Sequence, residues 1–406
     1  GGNIWNDYEH PASSLTIVNS LITGGTASDY GGGVDAFGTS LTLRSTTLSG
    51  NHAIAGGGAW VGGEGVAIAI ENSTFSGNTT SGFAGALDIE LLSGSALVTG
   101  TTFSGNQAQQ EGGAIGGAVS KGSATVANST VFGNSSAASG GGGLALNSSE
   151  GSILVEASTI SGNHATGPEA KGGGVTVSSK NPIQLEDTIV AGNSADTGGA
   201  DLSGPIDAAF SLVGNPADAT LTEAVAGSNL IGADPQLGPL EDNGGPTSTM
   251  ALAPTSPAVN RGSGSLGVDQ RGDPRPVLYP GVPLSAAPGA NGADIGAYEL
   301  QAPPLPSNAF RFGKVKLNKK KGTATVAVIV PGPGAVRLVG SKKVKKAGKT
   351  AKAAGTVKIL LKAKGKALKA LNRKGKVKVK AKFSFTPTGG TIASRTKTLK
   401  LVKKRP

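Results

Sequence analysis

The chain has no cysteine, which removes disulfide staples, thiolate metal sites and a cysteine nucleophile together. Aromatic residues are scarce, 16 among 406 with one methionine, so there is little with which to bind sugar rings or stack bases. No run approaches the roughly 18 apolar residues of a membrane-spanning helix. Acids are missing from one part of the chain altogether. Residues 306–406 carry 30 bases and no Asp or Glu, whereas residues 1–305 carry seven bases against all 26 acids, a net charge of −19. The formal charge of +11 therefore hides two objects of opposite sign. The chain starts at Gly1 and not at Met, so a missing leader says nothing about export.

What is abundant is glycine: 66 residues, more than twice the usual share of about 7%. No Gly-X-Y period accompanies it, which excludes collagen. The glycines instead punctuate a repeat. Ser73-Thr74-Phe75-Ser76-Gly77-Asn78 has relatives ending at Asn51, Asn106, Asn134, Asn163 and Asn193, with spacings of 27, 28, 28, 29 and 30 residues. Three, eight and ten positions before each Asn stand apolar residues. The nearest column reads Leu48, Phe75, Phe103, Val131, Ile160, Val190, and the next reads Leu43, Ile70, Val98, Val126, Val155, Leu185. Columns two apart share a strand face, and the odd step between these two requires a bend.

After each Asn a glycine cluster, such as Gly56-Gly57-Gly58, opens another short strand. A unit of about 28 residues cannot bury its apolar face alone, so successive copies must stack. The pattern predicts a right-handed parallel β-helix. In it the Asn residues take a left-handed corner and form an amide ladder along the axis. Length varies mainly between each Asn and the next apolar residue, which marks an exposed rim and the first place to look for a ligand.

Beyond residue 228 the text changes. Asp242-Asn243-Gly244-Gly245-Pro246, Ser256-Pro257-Ala258-Val259-Asn260, Asp269-Gln270-Arg271-Gly272 and Asp294-Ile295-Gly296-Ala297-Tyr298-Glu299 follow in order. With the preceding coils, this resembles bacterial right-handed β-helix surface proteins that carry a choice-of-anchor Q domain. The resemblance covers about three quarters of the chain. It implies an exported or surface-displayed protein and no particular activity. Met250 and Asn260 stand where such proteins often show His and Asp, so no polar role is expected at either. A Pro- and Gly-rich segment suits closure of the solenoid's open edge, which makes residues 234–300 a C-terminal cap.

Parallel β-helices include polysaccharide lyases and glycoside hydrolases, and a glycosidase needs two carboxylates about 5 to 9.5 Å apart. Asp88 and Glu90 are two apart in one strand, and Glu71 and Glu156 share a column in coils that do not adjoin. Few aromatics are there to bind sugar rings, Trp5, Tyr8, Tyr30 and Trp60 being the main exceptions, and these acids are read as solvated surface charges. Asp234, Asp242, Asp269, Asp273 and Asp294, with Glu299 nearby, crowd the cap and offer a calcium site. The competing reading is that they accept hydrogen bonds from turn amides. No other cofactor is indicated. His10, His52 and His164 are too dispersed to share a metal. Asn72, Asn78 and Asn128 match the glycosylation pattern because the repeat itself reads Asn-Ser/Thr-Thr.

Gln301-Ala302-Pro303-Pro304-Leu305-Pro306 is a stiff spacer. Past it, alternation over 314–317, 323–330, 356–360, 376–385 and 398–401 puts apolar residues on one side and lysines on the other. Residues 309–406 are thus expected to form a small Ig-like β-sandwich, with a short helix at 367–373 before Gly375. Lysines outnumber arginines 25 to five there, and lysine is a hydrated point charge without bidentate geometry. The domain should therefore hold polyanions without reading them closely. Lys319, Lys320, Lys321, Lys342, Lys343, Lys345 and Lys346 form its densest runs. Phe310, Phe312, Phe383 and Phe385 give no base-stacking surface, which argues against nucleic acid.

The combined expectation is an all-β chain: a right-handed parallel β-helix over 1–233, a cap over 234–300, a linker over 301–308 and a basic sandwich over 309–406. Its function is read as an extracellular or cell-surface scaffold or adhesin, attached through the basic domain to an anionic cell-wall polymer or polysaccharide. The alternative is a carbohydrate-active enzyme, a lyase or glycoside hydrolase.

Overall fold

Each repeat of the N-terminal unit makes one turn of a parallel β-solenoid with four walls. In one turn these are Val66–Glu71 (wall A), Thr74–Ser76 (wall B), Thr79–Thr80 (wall C) and Leu87–Leu91 (wall D). The computed structural model describes residues 2–5, 13–138 and 140–404 and divides into two units, Gly1–Ala302 and Pro303–Pro406. Tyr8 and His10 lie outside the described residues.

Every strand pairs in parallel with its equivalents one turn away. Phe75, for example, registers with Leu48 on one side and Phe103 on the other. Wall B stacks nine strands and wall C six. Walls A and D are two stacks that merge in Leu202–Ala209, an eight-residue strand pairing with the last strand of each.

The interior is the set of aligned columns. Leu43, Ile70 and Val98 from wall A meet Leu48, Phe75, Phe103 and Val131 from wall B, all fully buried. The Phe75 and Phe103 rings stack at 4.9 Å between centroids, 17° from parallel. Because neighbouring coils cannot collapse onto a vacated column, Phe75→Ala is expected to cost about 3–5 kcal/mol, measured by urea unfolding. The odd step between the two columns is a corner. One residue per turn is left-handed there: Ser45, Asn72, Asn128, Ala157 and Asp187 have φ of 45–50°, and Gly100 has 63°. Asn72 and Asn128 thus owe their place to corner geometry.

At the second corner the left-handed residue is the glycine before each Asn (Gly50, Gly77, Gly105, Gly133, Gly162 and Gly192) and not the Asn expected from sequence. A left-handed backbone suits glycine because it has no Cβ to clash. In the glycine clusters the middle residue answers to space instead. A Cβ on Gly57 would sit 2.4 Å from the Gly85 carbonyl oxygen one turn away.

Residues 234–300 differ from the cap expected. They hold one antiparallel hairpin, Leu237–Glu241 with Thr249–Leu252, and otherwise turns. Their docking bonds reach the side of the solenoid across several coils. Thr247 Oγ1 donates to Gly100 O (2.8 Å), Asn128 Nδ2 to Val268 O (3.0 Å), Ser263 N to Asp187 Oδ1 (2.7 Å) and Ala297 N to Thr159 Oγ1 (3.0 Å). A small core of Ile189, Leu212, Leu252, Val259 and Ile295 lies beneath. The segment is a strap along the flank. The threonines that open wall B, Thr102, Thr130 and Thr159, bond to Ser248, Gln270 and Ala297 of the strap in successive coils.

The unit Pro303–Pro406 is a small β-sandwich. Arg311–Asn318, Thr323–Val330 and Gly355–Leu361 form one antiparallel sheet; Gly334–Leu338, Ala347–Ala351, Lys376–Pro387 and Ala393–Val402 form the other. The strands Gly334–Leu338 and Ala347–Ala351 escaped the pattern because Gly and Ala blur their alternation. A ten-residue helix, α1 (Gly365–Lys374), is longer than expected. It buries Ala367 and Leu371 and stops at Gly375, whose φ is 67°. Phe310, Phe383 and Phe385 are buried in the sandwich core.

Candidate functional site

The ladder of asparagines is continuous and directional. Nδ2 of Asn51, Asn78, Asn106 and Asn163 each donates to the next Oδ1 at 2.9 Å, and Asn134 does so at 2.8 Å. The second Nδ2 proton goes back one coil, as from Asn106 to Phe75 O at 3.0 Å. Asn193 donates to Asp201 Oδ1 at 2.8 Å, and there the ladder ends. A terminal acceptor has nothing further to donate to, so a carboxylate serves. Every amide is thus satisfied internally, and none is free for a ligand.

The five cap aspartates proposed for calcium are not brought to one point. Asp234 accepts from Gln236 N (2.8 Å) and Asp242 from Gly244 N (2.9 Å), each in its own turn. Asp269 holds Arg271 through Nε (2.9 Å) and Nη2 (2.7 Å), and Asp273 meets the same guanidinium at 3.2 Å. Asp294 accepts from Asn260 N (2.7 Å) and Leu300 N (2.6 Å). Among the described residues no group of three or more His, Cys, Asp or Glu is placed to hold a metal ion. The carboxylates point at backbone amides and arginines, which already occupy the lone pairs calcium would need.

Asn260 does have a polar task, contrary to expectation. Its Nδ2 donates to Tyr279 O and Val282 O, and its Oδ1 accepts from Tyr279 N. Met250 is simply buried. His52 and His164 are bound to Thr79 and Ser194 in separate coils.

The structure corrects the reading of Asp88 as a solvated acid. Asp88 is only 5% exposed, and with the half-buried Glu90 it lines a cleft of about 200 Å³ on the outer face of wall D. Desolvation, and then the charge of Glu90, pushes the Asp88 carboxyl up to about 7. Burial likewise raises Glu90. No salt bridge reaches either group among the described residues; the Ile89 amide alone favours the Asp88 charge.

Stacking explains the burial. Along the outward column of wall D, Trp5, Asp35, Trp60, Asp88, Gly116 and Ala145 register with one another in that order. Trp60 covers one side of Asp88, and Gly116 leaves the trough open on the other. The Trp60 ring stacks with Tyr30 at 4.2 Å and with Phe37 at 4.4 Å. Phe83 and Glu111, from the variable rim segment, line the cleft's edge. Aligning the outward positions on the glycine clusters would have shown this column in the sequence. Glu71 instead pairs with Arg44 at 2.8 Å, and Glu156 accepts from Ser265.

In the second unit the candidate lysines are exposed but fall into two groups. Lys404 N bonds to Lys319 O, and Lys403 N to Gly375 O, beside the C-terminus of α1. Lys364 N bonds to Lys343 O beside its N-terminus. A helix of this length separates the two groups by about 15 Å. The alternation of the sequence put Lys376, Lys378, Lys380 and Lys382 on one strand face without naming them as anion-binding candidates; all four are exposed on one face of Lys376–Pro387.

No family model matches this chain, and neither does any curated protein or solved structure.

Proposed function

We propose that the chain is an exported, cell-surface β-helix scaffold of adhesin type, held electrostatically to anionic envelope polymers by its lysine-rich sandwich. The observation that carries this reading is the strand pair of the second unit. Lys378, the second of a four-lysine row spaced about 6.6 Å apart, registers directly across from Lys400. Like charges in that position destabilise a strand pair. The unit contains no acid that could relieve them, so relief must come from outside. A polyanion would supply it. The resemblance to choice-of-anchor Q surface proteins supports the extracellular placement, and among the described residues no helix is long and apolar enough to cross a membrane.

Lysine favours loose retention over close recognition. Binding of the full chain to phosphate-bearing cell-wall polymer is therefore expected to fall by about tenfold or more as salt rises from 0.05 to 0.5 M, where screening shortens to a few ångströms. The triple change Lys376→Glu, Lys378→Glu, Lys380→Glu should weaken it comparably at low salt. Binding that is absent, or indifferent to salt, would reject the proposal.

A further inference from the structure

Five of the 16 aromatics, Trp5, Tyr30, Phe37, Trp60 and Phe83, lie on or beside the outer face of wall D. In a chain so poor in aromatics this concentration is not explained by the fold. Phe75 and Phe103 show that the interior already takes the aromatics it needs. Tyr30, Trp5 and Phe83 are 45–59% exposed, an apolar outward tier with no protein to cover it among the described residues. Next to this tier comes Asp88, buried, with no side-chain partner, opening onto the cleft. Beyond Asp88 the column shrinks to Gly116 and Ala145, and the neighbouring one to Ala118, flanked by Asn147. An aromatic platform, two carboxyls and a floor of small residues thus follow one another along the solenoid axis.

We infer that this trough binds an extended glycan of uncharged or amine-bearing sugars, stacking on the half-exposed Phe83 ring that lines the cleft and hydrogen-bonded through Asp88 and Glu90. The exclusions come from the same residues. An extended peptide would need unpaired strand edges, whereas the backbone of wall D is paired between coils. Nucleic acid and uronate polymers would meet Asp35, Asp88, Glu90 and Glu111 with no base in the trough to offset them. Sugar rings fit the remaining chemistry: apolar faces lie on aromatic rings, and hydroxyl or ammonium edges donate to carboxyls. This site is independent of the lysine-rich unit.

Both tryptophans belong to wall D, and Trp60 registers with Asp88 one coil away, so a change in tryptophan emission reports on this wall and not on the basic unit. Full-length protein titrated with hexamers of N-acetylglucosamine, of glucosamine and of galacturonate is expected to respond to one or both of the first two and not to the third. Phe83→Ala should weaken binding by about tenfold or more, read by calorimetry. Asp88→Asn should weaken the glucosamine hexamer by about tenfold and the uncharged one much less, because a charge-assisted bond becomes a neutral one. Glu90→Gln serves as a second carboxyl variant, and unfolding curves confirm that each variant is folded. The inference fails if calorimetry detects binding of neither of the first two hexamers. It also fails if folded Phe83→Ala binds as the parent does, or if galacturonate is bound at this site equally well.

Discussion

Asn106→Ala is expected to lower stability by about 4 kcal/mol, among the largest losses available from a polar residue in this chain. The side chain takes part in four hydrogen bonds. Its Oδ1 accepts from the Asn78 backbone and side-chain amides at 2.9 Å each, and its Nδ2 donates to Phe75 O and Asn134 Oδ1. All of these groups are sealed between coils, where water cannot replace the lost partner. Each buried group left without a partner costs about 1–3 kcal/mol. Asn106→Asp makes a sharper test. The new carboxylate would face the Asn134 carbonyl oxygen, acceptor against acceptor, whereas Asp201 is tolerated because the ladder ends at it. Burial would raise the pKa of the new group above its unfolded value. Its protonated form could donate to Asn134, so this variant should recover stability as pH falls and lose it as pH rises. Urea midpoints at pH 5 and pH 8 measure both effects. Equal midpoints for parent and alanine variant would show that the ladder contributes nothing.

Arg275→Leu is expected to cost about 3–5 kcal/mol at pH 8 and to loosen the flank strap. The Arg275 side chain is fully buried. Its Nη1 donates to Gly296 O at 2.9 Å, Nη2 to Asp294 O, and Nε lies 3.5 Å from Glu299 Oε2. Without it, Asp294 and Glu299 would be two buried carboxyls with no ion-pair partner among the described residues. Desolvation has already raised them, Asp294 to about 6 and Glu299 to about 7, despite the opposing pull of Arg275. Both therefore hold protons more tightly folded than unfolded. Their contribution is fully present below about pH 4, where the unfolded groups are also protonated, and is lost as pH rises through 6 to 7. The Arg275→Leu defect should accordingly shrink at pH 5, where the carboxyls are neutral. Hydrogen exchange over residues 234–300 at the two pH values reads the strap directly. A defect of the same size at both would mean that the arginine matters for packing and not for charge.

The interior of the solenoid was legible because stacking repeats itself. A residue that must lie over its equivalent recurs at one spacing, and Leu48, Phe75, Phe103 and Val131 declare their column without any coordinates. The basic unit was legible for a similar reason, since alternation puts Lys376 to Lys382 on one side of a strand. Where alternation is weak, as at Gly334–Leu338, the strand was missed. The left-handed corner was assigned one residue late, because Asn and Gly both tolerate positive φ and only the backbone separates Gly50 from Asn51.

The outward face is another matter. Whether Asp88 is solvated depends on the residues one rung away on either side, Trp60 and Gly116, which are 28 positions distant in each direction. Likewise, Asp294 and Glu299 meet the same arginine only after the chain has folded along the flank. The repeat by itself determined the parallel solenoid, its filling and the division of charge, because these follow from local periodicity and composition. Tertiary structure alone decided which acids are buried, where the strap lies and how the lysines divide, because solvent exposure and charge proximity are set by neighbours remote in sequence.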